Sequence, residues 1–156
     1  MELDYRTIHT LPNFINSDTI GTRERNVLYP QLDYIINGKS LSEVARISDG
    51  PTLFGKYENL NLKEIEKEID RFSLQNYSIK KSENIPLYLC TECADLYCGF
   101  NAVTVTYWDG KIIWHNFSRL SDEEDENPEI INNLIFIFSR EIYSSFIENL
   151  KTYYAI

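Results

Sequence analysis

"AVTVTYWDGKIIWHNF", residues 102–117, is the stretch from which the fold of this chain can be read. Two alternating runs flank Asp109-Gly110, a pair that tolerates the left-handed backbone of a two-residue hairpin turn. Closing the turn there sets a register. Trp108 lies opposite Lys111, Val105 opposite Trp114, and Thr104 opposite His115. Val103, Val105, Tyr107, Ile112 and Trp114 then share one face, the expected core side. Thr104, Thr106, Lys111 and His115 share the other, with Trp108 and Ile113 among them.

The neighbouring segments extend this hairpin into a sheet with helices. Upstream, "IPLYLC" (85–90) reads as a short buried strand leading into a cysteine turn. Downstream, "SDEEDENPE" (121–129) is an acidic loop and "NLIFIF" (133–138) a further strand. Ser139 is placed to cap a last helix whose apolar stripe is Ile142, Tyr143, Phe146, Ile147 and Leu150, with Lys151 at its C-terminal end. Farther upstream, residues 61–74 predict a helix with Leu62, Ile65, Ile69 and Phe72 on one face and Asn61 with Glu64 at its start. Its other Glu and Lys residues read as a solvated face. "QLDYIINGKSLSEV" (31–44) reads as a strand, an Asn37-Gly38 turn and a helix beginning near Ser42. Asp49 to Pro51 is a break. Residues 1–30 carry little pattern, and "YPQ" (29–31) suggests a turn. The order predicts an α+β fold: one domain, a mostly antiparallel sheet, and two to three helices packed on it.

The 156 residues suit one domain with a real core. No apolar run reaches the roughly 18 residues of a membrane span, and "MELDYRTIHT" lacks the pattern of a signal peptide. The expectation is a soluble, cytoplasmic protein with reduced cysteines and no membrane partner. Net charge is −9 and unevenly spread: residues 1–80 hold 12 acidic and 10 basic side chains, residues 81–156 hold 12 and 5. Such a field repels nucleic acid and attracts basic proteins, besides keeping the chain soluble.

All three cysteines lie in "LCTECADLYCG" (89–99), spaced Cys90-x2-Cys93-x4-Cys98. Three readings are open. A Cys-x2-Cys turn is half of a structural zinc site, with Cys90, Cys93 and Cys98 as ligands and a fourth from His115, Asp95 or Glu92. The only other histidine is His9. Thiol redox chemistry at Cys90 or Cys93 would need a depressed thiol pKa, which a helix N-terminus normally supplies. Otherwise the thiols pack a tight turn as small hydrophobes, with Gly99 giving backbone freedom.

Three blocks, "LDYIINGKSLSEV" (32–44), residues 85–117 and "IFIFSREIYSSFIENL" (135–150), together resemble a widespread family of uncharacterised bacterial proteins. Its members carry an "IDGRSL"-like segment, a "CPECGDLGCG"-like turn, a hairpin ending in "VWSDF" and a strand–helix C-terminus. Cys90, Cys93, Asp95, Cys98 and Gly99 match the turn; Thr91 stands where Pro is usual, Ala94 where Gly is usual, and "WHNF" replaces "WSDF". The resemblance implies that the turn works without a histidine, which counts against His115. Some relatives bear an oxidoreductase label, which keeps a thiol-dependent enzyme as an alternative.

Phosphate loops, dinucleotide-binding glycine patterns, nucleophile elbows and His-Glu-x-x-His are all missing from the sequence, and there is no basic stripe for nucleic acid. What remains is an acidic domain with 11 Tyr, 8 Phe and 2 Trp. That profile is similar to bacterial immunity proteins, including those of contact-dependent growth inhibition systems. The expected activity is therefore binding, without catalysis or cofactor, to a cognate and basic toxin domain. The expected contact residues are Asp122, Glu123, Glu124, Asp125, Glu126 and Glu129. A small structural-zinc or regulatory binding domain is the alternative.

Overall fold

A computed structural model describes residues 14–73 and 82–156. Its element order is β1 (Phe14–Asn16), β2 (Ile20–Val27), β3 (Tyr29–Ile36), β4 (Lys39–Ser40), α1 (Leu41–Ala45), α2 (Leu62–Ser73), β5 (Ser82–Leu89), β6 (Phe100–Trp108), β7 (Lys111–Leu120), β8 (Glu129–Ile130), β9 (Ile135–Ser139) and α3 (Arg140–Tyr153). The larger sheet runs β1-β9-β7-β6-β5, with β8 added on β7; the smaller is β2-β3-β4. Only the β1–β9 pair is parallel among the paired strands. The α+β reading, a mostly antiparallel sheet with three helices, holds.

The β6–β7 hairpin forms in the expected register: Trp108 opposite Lys111, Val105 opposite Trp114, Thr104 opposite His115. Asp109 and Gly110 both take positive φ, 48° and 73°, as a two-residue turn matched to strand twist requires. Strict alternation then fails at one place. From His115 to Ser118 the β7 strand takes three steps while β6 takes two from Thr104 to Ala102. Asn116, at φ 53°, is the extra residue. The bulge turns Phe117 into the same core as Trp114, where both are fully buried. Alternation alone would have sent Phe117 to the opposite face.

That core is aromatic. Tyr34 from β3 meets Phe54, Phe72, Tyr88, Trp114 and Phe146 with ring centroids 5.8–6.5 Å apart. Trp114 meets Phe138, Tyr143 and Phe146 edge-on. Edge-to-face packing uses the ring quadrupoles as well as their area. Two of the buried polar tips are paired, while the Tyr34 hydroxyl has no hydrogen-bond partner: Trp114 Nε1 donates to Tyr143 Oη at 3.2 Å, and Tyr143 Oη donates to the Phe72 carbonyl at 2.8 Å. One residue from β7 and one from α3 thereby fix the end of α2.

Both long helices are built as their sequences predict, with one exception. Ser139 Oγ accepts from the Ile142 N–H, and Tyr143, Phe146, Ile147 and Leu150 are buried. Asn61 Oδ1 accepts from the Lys63 N–H at the start of α2, and Ile65, Ile69 and Phe72 are buried. Leu62, expected on that stripe, is exposed, because it sits in the first turn, ahead of the part of α2 that meets the core.

The N-terminal third departs most from its reading. "YPQ" is no turn: Tyr29, Pro30 and Gln31 begin β3, and the chain reverses one residue earlier at Leu28, φ 68°. Pro30 is accommodated opposite Asn26, one pair from the turn that closes the hairpin. His9 and the sequence expectations for residues 1–13 lie outside the described residues.

Candidate functional site

The register of β6 and β7 brings the two chemically distinctive segments together. Phe100, the first residue of β6, pairs with Leu120, the last of β7. The cysteine turn enters β6 there and the acidic loop leaves β7 there. Both therefore stand at one end of the larger sheet, over a small cluster of Leu89, Phe100, Ala102 and Leu120. Leu96 packs on that cluster from the cysteine turn. Gly99, at φ 90°, seats the turn against the strand: a Cβ there would meet Arg119 Nη2 at 3.2 Å and the Leu120 carbonyl oxygen at 3.3 Å. The anchors of the turn are Leu96 and Gly99, not its sulfurs.

Within the turn, the Ala94 N–H donates to the Cys90 carbonyl at 2.8 Å, and Ala94 takes φ 52°. Asp95 Oδ1 accepts from the N–H groups of Tyr97 (2.9 Å) and Cys98 (3.2 Å). This folding back closes a Cys93–Cys98 disulfide and leaves Cys90 free and half-buried. Three expectations are corrected. Cys93 and Cys98 are not reduced thiols packed as small hydrophobes; they are exposed and bonded to each other. The Cys90-x2-Cys93 pair is not the redox couple, since Cys93 bonds Cys98 and the turn heads no helix.

The third correction concerns the proposed zinc set of Cys90, Cys93, Cys98 and His115. Among the described residues, the donor atoms that lie within 4.8 Å of one another are those of Cys93, Asp95 and Cys98. Cys90 and His115 do not join them. His115 is paired with Thr104, four residues along β6 from Phe100, about 13 Å at the rise of a strand. Its Nε2 shares a 2.9 Å hydrogen bond with Thr106 Oγ1. Burial pushes its pKa down to about 4, against a smaller upward effect of a hydrogen bond to Asn116. It is a neutral, structural histidine.

The acidic loop is built by two of its own carboxylates. Asp125 Oδ2 accepts from Ser121 N (2.9 Å) and Ser121 Oγ (3.1 Å), while Oδ1 accepts from Asn127 N (2.9 Å). The Ser121 N–H, and after it that of Asn127, hold the Asp125 carboxyl below its ordinary pKa. Asp122 Oδ1 accepts from Glu124 N at 2.9 Å. Of the six residues expected to meet a partner, Asp122 and Asp125 thus shape the loop. Glu123, Glu124, Glu126 and Glu129 are the ones exposed on it.

Glu92 and Asp95 on the cysteine turn add two exposed carboxylates to this end. Tyr97, on the same cysteine turn, is 83% exposed, and Ile130 on β8 is 51% exposed. Arg119 is the basic residue at the same edge. Sequence reasoning missed the adjacency and missed Tyr97, because both depend on the pairing of Phe100 with Leu120. Arithmetic on the hairpin register could have found it, by carrying the pairing past the bulge.

A second cluster of polar groups is closed. Asp33 accepts from Tyr34 N (2.8 Å), Tyr88 Oη (2.7 Å) and Ser40 Oγ (2.7 Å), with Arg25 Nη1 at 3.6 Å. Arg25 also forks onto Asp49 at 2.7 and 2.8 Å and donates to the Gly50 carbonyl. Burial, and after it the Asp33 charge, push the Tyr88 hydroxyl pKa far up. Apart from the bond from the adjacent Tyr34 N–H, these bonds join one part of the fold to another, so the cluster reads as a structural brace.

No helix among the described residues is long and apolar enough to cross a membrane. Comparisons with family models, with curated proteins and with solved structures gave no match to this chain. The functional reading therefore rests on the geometry of the acidic end.

Proposed function

We propose that this chain is an immunity-type protein that binds a basic toxin domain in the cytoplasm and neutralises it. The observation that carries the reading is the gathering of eight carboxylates at one end of the larger sheet, Glu92 and Asp95 on the cysteine turn, Asp122, Glu123, Glu124, Asp125 and Glu126 on the acidic loop and Glu129 on β8, with exposed Tyr97 on the cysteine turn. A basic nuclease presents positive charge where it would hold phosphates. A rigidly shaped acidic surface is attracted to that charge at long range and then occupies the cleft. Tyr97 supplies the kind of aromatic anchor that concentrates binding energy at an interface centre. The hydrogen bonds that Asp122 and Asp125 accept hold the loop backbone at Ser121, Glu124 and Asn127, which lowers the cost of ordering the loop on contact.

The test is capture followed by rescue. The tagged full chain is incubated with its host's lysate at low salt, and any stoichiometric basic partner is identified by mass. That partner is then expressed in a susceptible cell with and without this chain. Growth arrest relieved by the chain, and not by a chain in which Glu123, Glu124, Glu126 and Glu129 are replaced by Ser, supports the reading. A captured partner that does not arrest growth, or rescue that survives the four replacements at low expression, overturns it.

A further inference from the structure

The Cys93–Cys98 bond sits in an unusual position for a structural cross-link. Both sulfurs are exposed, only five residues separate them in sequence, and the turn is already anchored by Leu96 and Gly99. A carboxylate shares the spot: the donor atoms of Cys93, Asp95 and Cys98 lie within 4.8 Å of one another. Asp95 Oδ1 is tied to the turn by two backbone N–H groups, which positions the carboxylate beside Cys98 whether or not the sulfurs are bonded.

We propose that reduction of this disulfide converts the turn into a binding site for one zinc ion, with Cys93 Sγ, Cys98 Sγ and an Asp95 carboxylate oxygen as ligands. Two thiolates and a carboxylate suit a borderline-soft divalent cation, and three protein ligands leave a fourth tetrahedral position for water or another donor. Zinc–sulfur bonds of about 2.3 Å set the two sulfurs roughly 3.8 Å apart in a tetrahedral site. With the two Cα atoms 6.5 Å apart, side-chain rotation is enough to open the bonded sulfurs to that separation. The disulfide and the zinc site are thus mutually exclusive states of the same two sulfurs.

The chemistry balances with a dithiol reductant. Its thiolate attacks one protein sulfur and breaks the S–S bond; its second thiol then resolves the mixed disulfide. Two electrons and two protons pass to the protein, and the reductant leaves as its own disulfide. Zinc displaces the two thiol protons to solvent. The inference stands apart from toxin binding, because metal uptake is read on the chain alone.

The experiment uses the full chain, oxidised or reduced with a dithiol that is then removed anaerobically, and titrates it with zinc under native mass spectrometry. One zinc per reduced chain and none per oxidised chain is the expected result. Cys98→Ser and Asp95→Asn should each weaken uptake by about tenfold or more, and Cys90→Ser should bind as the wild type does. Bound zinc should also protect Cys93 and Cys98 from alkylation while leaving Cys90 as reactive as before. Emission of buried Trp114 checks that each variant is folded. Uptake by reduced wild type no greater than by Cys98→Ser, uptake lost in Cys90→Ser, or equal uptake by the oxidised chain would overturn the proposal.

Discussion

Asp33 and the glutamates of the 121–129 loop carry the same charged group and do opposite things. Asp33 is 5% exposed, and its oxygens are engaged by Tyr34, Ser40 and Tyr88 with Arg25 close by. Its charge was withdrawn from water and compensated inside the fold, so it joins β3 to β4 and β5. Glu123, Glu124, Glu126 and Glu129 keep their hydration. Burial with partners makes a carboxylate part of the architecture; exposure on a shaped loop leaves its field available to another molecule.

The largest expected effect breaks the brace. Asp33→Ala takes the shared acceptor from the Tyr88 hydroxyl, the Ser40 hydroxyl and the Tyr34 N–H, and should lower unfolding stability by about 3–5 kcal/mol. Urea unfolding reads this directly; a midpoint close to wild type would mean the network is not bearing on the fold.

Next is His115, a buried histidine. Its folded pKa of about 4 lies below the ordinary 6.5, so between those values the unfolded chain binds more protons than the folded one. Stability due to the neutral ring is present above pH 6.5 and is lost as pH falls from there toward 4, by up to about 3 kcal/mol. His115→Gln should flatten that part of the stability–pH curve. An unchanged slope would assign the pH dependence to other groups.

Opening the Cys93–Cys98 bond should cost less, because the loop it closes is short: about 2 kcal/mol in the chain-entropy account. Thermal unfolding of Cys93→Ser/Cys98→Ser against the oxidised wild type tests this, and a much larger loss would make the bond a main support of the fold.

The smallest effect on stability belongs to the acidic loop. Replacing Glu123, Glu124, Glu126 and Glu129 with Ser should change stability by no more than about 0.5 kcal/mol per site, yet slow association with a basic partner by about tenfold or more at low salt, the difference shrinking as salt rises. Asp125→Ser sharpens the contrast. It removes the hydrogen bonds to Ser121 and Asn127, so it should slow association through loop shape, with weak salt dependence. Equal salt dependence for Asp125→Ser and the fourfold variant would erase the distinction between shaping and steering residues.

The same contrast explains what could be read in advance. The β6–β7 register followed from Asp109-Gly110 and period-two alternation, since a hairpin turn fixes its own pairing. The α3 stripe and Ser139 cap were equally local. The β2–β3 hairpin was not legible: it turns at Leu28 without a glycine and holds Pro30 within a strand. Nor was β1, three residues whose partner β9 lies more than a hundred positions away. Gln31 to Tyr34 are buried on both faces, so β3 lost the alternation that marks a half-buried strand. Of the candidate site, the carboxylates were visible by residue type. Which of them shape the loop, and that the cysteine turn stands beside it, were not.

By itself the sequence determined the class of fold, the central hairpin, the two long helices and the concentration of negative charge in the second half, because each depends on residues near one another in the chain. Tertiary structure decided the rest. The bulge at Asn116 brought Phe117 into the core, the buried partners of Asp33 made it a brace, and the return of the chain at Ala94 and Asp95 paired Cys93 with Cys98 and left Cys90 and His115 out. Those outcomes depend on which surfaces meet across the fold, and the energy of a buried charge, a bulge or a sulfur pair is set by neighbours that local sequence does not name.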